Sequence, residues 1–182
     1  MFIRIRYHQQ NNLLPHSARL RRLVGNKLKI APASVNAYVL GEHGDSSVSV
    51  WSKASIMQKS IADFVAEGKL TEKDLEDMHQ QMMKMAYTII DLKKATFYGI
   101  GVCLSSIAKA ILNDERSTFL IGAKCEGEYN VTRTYIGVPA VIGVNGIEEI
   151  IEWKLTKEEQ VKFEKSATQL HEALNVALAA LK

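Results

Sequence analysis

Apolar and polar positions divide this chain into short strand-like runs, one pair of long helical stretches and a closing helix. At the start, Phe2, Ile3, Ile5 and Tyr7 alternate with Arg4 and Arg6 as in a strand, until Gln9-Gln10-Asn11-Asn12 breaks the pattern and Pro15 closes it. Over residues 17–28, Ala18, Leu20, Leu23, Val24 and Leu28 recur at steps of three and four, which predicts a helix with Ser17 as its N-terminal cap. Ala31-Pro32-Ala33-Ser34 forms a turn, and the apolar run 35–40 predicts a strand. A second short strand is expected over 48–51, followed by a helix over 54–65 that Gly68 stops.

The middle of the chain carries the longest periodicity. Leu75, Met78, Met82, Met85 and Ile89 fall at helical spacing behind Thr71-Glu72-Lys73-Asp74, a capping-box spacing, so residues 72–93 should form an amphipathic helix whose methionines pack in the core. After the break at Lys93-Lys94-Ala95-Thr96, residues 97–112 are apolar on most sides and predict a largely buried helix. Strands are expected over 117–123 and 135–144, and Asn145-Gly146 is a hairpin turn into 147–155. Thr156-Lys157-Glu158-Glu159 is a capping box for a helix to about Ala180, with Val161, Leu170, Leu174 and Leu178 on one side. The fold class is α+β: an antiparallel sheet with long helices and no Rossmann domain.

Composition narrows the function. A length of 182 residues with 47% hydrophobic content suits one domain with a real core. The net charge of +3 and the scattered basic residues give no reason to expect nucleic acid or a membrane as partner, and Arg19-Leu20-Arg21-Arg22 by itself reads as a solvated helix face. Cys103 and Cys125 lack metal-ligand spacing, and no metal site is expected. No apolar run approaches the ~18 residues that span a bilayer, and residues 1–10 lack the apolar core of a signal peptide, so a cytoplasmic protein is the expectation.

Candidate chemistry centres on Gly41-Glu42-His43-Gly44-Asp45-Ser46-Ser47, which sets a histidine at the end of a strand between two glycines. Histidine titrates near neutrality and suits proton transfer. By itself the pattern more often marks a structural or surface loop histidine. The longer run from Val35 through Val48, with Val50-Trp51-Ser52, Ser17-Ala18-Arg19-Leu20-Arg21, the stretch from Lys94 to Gly101 and Ala108-Lys109-Ala110-Ile111-Leu112, closely resembles the L-lactate dehydrogenase family of the lactate/malate dehydrogenase superfamily. The resemblance covers only that family's C-terminal half and divides the chain into an atypical segment, residues 1–16, and a substrate-binding domain, residues 17–182.

What the resemblance implies is an NAD-dependent conversion between lactate and pyruvate. In it Arg19 clamps the substrate carboxylate, His43 is the acid/base, Thr96 lines the substrate pocket and Ile100 packs against the nicotinamide. Partners would be a small 2-hydroxy or 2-oxo acid and further subunits, as a homo-oligomer or in association with full-length chains. Two departures stand out. His16 occupies the position at which the family carries an aspartate partner for the histidine, and no Gly-x-Gly-x-x-Gly follows a strand anywhere in the chain, Gly99-Ile100-Gly101 lacking the third glycine. The expectation is a truncated enzyme with little or no activity alone. Alternatives are a non-catalytic fragment that joins intact lactate dehydrogenase subunits, and a malate dehydrogenase fragment. Arg21 matches an arginine that binds fructose bisphosphate in some members, but Asn36 stands where a histidine would be, so that regulation should be weak or missing.

Overall fold

A computed structural model describes residues 14–180, and the strand-like stretch expected within residues 1–7 lies outside them. The described chain forms two compact units, one of residues 14–39 and 49–104, the other of residues 40–48 and 105–180.

The first of these opens with α1 (Leu14–Leu28), three residues earlier than the periodicity predicts. Pro15 lies in the first turn, where a residue without an amide hydrogen costs the helix nothing. Ser17 is therefore inside the helix and not its cap: buried, it accepts a hydrogen bond through Oγ from the Val39 amide at 3.1 Å. Leu20 and Val24 are fully enclosed beside it. The predicted strand 35–40 is split at Ala37-Tyr38 into β1 (Val35–Asn36) and β2 (Val39–Leu40), the latter paired with β3 (Val48–Ser49).

Residues 54–65 are not one helix. β4 (Ser55–Ile56) pairs with β1 and turns back into β5 (Lys59–Ser60), and only then does α2 (Ile61–Ala66) begin. Met57 and Gln58 make the turn at φ of +47° and +66°, the left-handed pair that a two-residue hairpin demands. Ser60 and Asp63 form a reciprocal capping box, which explains why helix starts there.

α3 (Glu72–Lys93) has the predicted bounds, with the Thr71–Asp74 capping box formed and Leu75, Met78 and Met82 buried. Lys27 reaches Asp74 at 2.6 Å and ties α1 to the start of α3. Lys94 at φ +64° ends it. α4 (Phe97–Leu112) follows, but the expectation that it is largely buried fails: only Ala110 is enclosed, while Phe97, Tyr98 and Val102 are 75%, 83% and 69% exposed. Its apolar composition has no matching partner face among the described residues.

The other unit is built on an antiparallel sheet, β6 (Ser117–Glu126), β7 (Thr132–Gly143) and β8 (Gly146–Ile150), with β7 central. β8 is shorter than the predicted 147–155. The β7–β8 turn is Val144-Asn145, one residue earlier than the predicted Asn145-Gly146, since Gly143 pairs with Gly146 and Gly146 opens β8 at φ +87°. Leu120, Ala123, Ile136, Val138, Ala140 and Ile142 supply the sheet's buried side chains. α5 (Lys157–Ala179), capped by Thr156 and Glu159, packs on β7. Its buried face is Glu159, Phe163, Ser166 and Ala167, while of the apolar row read from the sequence Val161, Leu174 and Leu178 are exposed. Phe163 makes the packing, stacked on Tyr129 at 5.0 Å between ring centres; enclosing such a ring contributes about 1.5–3 kcal/mol.

Candidate functional site

The histidine loop, residues 41–47, grows out of β2 in the sheet-bearing unit. Gly41 and Gly137 of β7 exchange both amide hydrogen bonds at 2.9 Å, which pins the start of the loop to the sheet. The Glu42 amide donates to Ser166 Oγ on α5 at 2.8 Å, the Ser46 hydroxyl donates to Glu42 Oε2 at 2.5 Å, and the two serine hydroxyls lie 3.0 Å apart. Ser47 closes the turn with its amide on the Gly44 carbonyl at 3.2 Å. Gly41 must be glycine for two reasons. Its φ is +93°, and a Cβ there would meet Ser166 Oγ at 2.7 Å. His43 sits half-buried on this rigid loop. A side chain on a clamped loop at a strand end is suited to transferring a proton along one fixed direction.

Arg19, Thr96 and Ile100 belong to the other unit. Arg19 lies on the second turn of α1, half-buried, and its Nη1 is enclosed with no hydrogen-bond partner among the described residues. Burial lowers its pKa, and the neighbouring Cys103 opposes that shift; Cys103 in turn is raised by burial and drawn down by Arg19. An enclosed guanidinium nitrogen without a partner among the described residues suits an anion, and a carboxylate matches the planar fork. Thr96 is half-buried immediately before α4, and Ile100, also half-buried, is on that helix's first turn with its amide directed at the Thr96 carbonyl at 3.5 Å. His16 is buried in the first turn of α1.

The residues fit a nicotinamide dinucleotide only in part. Ile100 offers an apolar surface, but no strand among the described residues runs into a glycine-rich loop that would cradle the phosphates, and Gly99 and Gly101 face open space.

Glu42, Ser46 and Ser166 were not singled out from the sequence as working residues. The first two stand inside the motif, where their side chains could have been suspected. Ser166 had no such signal, since it lies 124 residues from its partner on what reads as an ordinary helix face.

Residues 16–181 match the family model of the lactate/malate dehydrogenase alpha/beta C-terminal domain. The chain is 58% identical over 159 residues to the L-lactate dehydrogenase of Mycoplasma mycoides, covering 87% of this chain and 50% of that one. It is 45% identical over 161 residues to L-lactate dehydrogenase 1 of Lactobacillus acidophilus, with 88% and 50% covered. Among solved structures, the minor L-lactate dehydrogenase of Enterococcus mundtii superposes with a TM-score of 0.87 at 38% identity, over 91% of this chain and 53% of that one. The malate dehydrogenase of Cryptosporidium parvum does so at 0.85 and 30% identity, with 91% and 53% covered. The chain thus spans about half the length of the curated relatives it matches.

Proposed function

The chain belongs to the lactate/malate dehydrogenase family through its C-terminal domain, and from that premise we propose that it supplies the substrate and proton-transfer half of an L-lactate dehydrogenase. The observation that carries this reading is the enclosed Nη1 of Arg19, which has no hydrogen-bond partner among the described residues. Two parallel N–H donors would hold the carboxylate of a 2-oxo acid and fix which way its carbonyl faces. His43 gives a proton to the carbonyl oxygen as that carbon is reduced to the 2-hydroxy acid, and takes it back in the oxidation direction. Thr96 lines the pocket, and Ile100 shields the reacting face from water. NAD supplies the hydride when bound. Its phosphates need a glycine-rich cradle, into which no strand among the described residues runs, so turnover requires a cofactor-binding half beside these residues.

The test is pyruvate-dependent NADH oxidation by the chain mixed with a separately produced cofactor-binding half. Arg19→Lys, which keeps the charge but loses the fork, should lower kcat/KM by about 10²-fold, and His43→Gln by about 10³-fold, within the range of one lost general acid. Turnover indifferent to both substitutions would sink the reading. Oxaloacetate reduced faster than pyruvate would instead assign a malate dehydrogenase, since the fold is shared by both.

A second reading is favoured by one observation: Tyr87, Ile90, Leu92, Phe97, Tyr98 and Val102 are all exposed on the end of α3 and the start of α4. An apolar row of this extent suits a protein contact, which would make the chain a non-catalytic partner of intact lactate dehydrogenase subunits. Stable co-purification with a full-length subunit, combined with no turnover in the mixing experiment, is its signature.

A further inference from the structure

The hydrogen bonds around His43 form a closed ring whose direction is dictated by what each atom can donate. The Glu42 carboxylate accepts, so the single hydroxyl hydrogen of Ser46 goes to Glu42 Oε2. Ser46 Oγ therefore accepts from Ser166, whose hydrogen is spent there at 3.0 Å. Ser166 Oγ is then left to accept, and it receives the Glu42 amide at 2.8 Å. The ring runs from Glu42 N–H to Ser166, to Ser46, and back to the Glu42 side chain. It grips the residue before His43 by both its backbone and its carboxylate.

We infer that Ser166 is a positioning residue for His43, setting the aim of the imidazole from a helix far away in sequence. Ser166 is 0% exposed, and losing its hydroxyl takes from the Glu42 amide the acceptor that it has in the fold. Gly41 belongs to the same device. Its missing Cβ is what lets the Ser166 hydroxyl approach, a Cβ there lying 2.7 Å away. The inference deepens the assignment of His43 as acid/base and rests on that reading for its functional meaning, but the ring itself is observable without turnover.

The experiment compares the 182-residue chain with Ser166→Ala, Ser46→Ala and the double variant, by native-state amide exchange and by the His43 ring resonances over a pH titration. In Ser166→Ala the Glu42 amide should exchange about tenfold faster, the cost of one hydrogen bond, while amides of β7 keep their protection. The His43 titration should shift, Ser46→Ala should shift it in the same sense, and the double variant should add little, since both break one ring. A His43 titration unmoved by either single variant overturns the inference, as does a fully additive pair. If Ser166→Ala fails to fold, Ser46→Ala, at the half-exposed loop, still decides. These shifts, found together with no pyruvate turnover in the mixing experiment, would disprove the catalytic reading of His43 and leave the ring standing.

Discussion

Cys125 and Tyr129 carry the clearest residue-scale consequence of burial. Enclosure, reinforced by the nearby carboxylates of Glu128, Glu152 and Glu126, pushes the Cys125 thiol from 9.0 up to about 11. Enclosure likewise pushes the Tyr129 hydroxyl from 10.0 up to about 12, against the opposing hydrogen bond from the Trp153 amide. Both groups hold their proton more tightly folded than unfolded, so the stability they confer is complete below about pH 9 and is lost as the pH rises through 9 to 12. Urea midpoints should be level from pH 7 to 8.5 and then fall, and Cys125→Ala should flatten the first part of that fall, by on the order of 1–3 kcal/mol. A midpoint that holds to pH 11 would contradict the assignment. At this scale Arg19 and His43 stand out as candidates because short contiguous runs mark them, Ser17-Ala18-Arg19-Leu20-Arg21 and the Gly41 to Ser47 motif. Ser166 was not, because hydrogen bonding across 124 residues leaves no local pattern.

Elements were legible where their signals are local. The boxes at Thr71–Asp74 and Thr156–Glu159 fix their helices because cap and partner lie three residues apart on one turn. The β4–β5 hairpin was missed because Met57-Gln58 hides the turn: neither residue favours positive φ, yet both adopt it. That mismatch is a prediction. Replacing Met57-Gln58 by Asn-Gly, which takes this geometry at little cost, should raise stability by about 0.5–1 kcal/mol, readable as a higher urea midpoint. A lower midpoint would mean that Met57 contributes a contact its 87% exposure does not reveal. The burial of α4 was misread for a different reason. Periodicity says which residues share a face, but only tertiary packing says whether that face is covered.

At the scale of the whole molecule, the exposed aromatic and aliphatic side chains on the end of α3, on α4 and along α5 predict association. Light scattering should show a mass above the 20.3 kDa of one chain, rising with concentration, and Phe97→Ser with Tyr98→Ser should lower it. A monomer at high concentration would count against both the oligomeric expectation and the partner reading. No single helix among the described residues is long and apolar enough to cross a membrane. The central claim is that these 182 residues supply the carboxylate clamp and the proton donor and turn over only together with a cofactor-binding half. NADH binding and pyruvate turnover by the purified chain, with and without the cofactor-binding half, beside His16→Asp, tests it most directly. The account predicts no NADH binding by the chain alone, turnover on mixing, and faster turnover with His16→Asp, because that restores the aspartate which the resembling family carries at this position, and an orienting carboxylate is worth up to about 10⁴-fold in comparable sites. NADH bound and pyruvate reduced by the chain alone would contradict it.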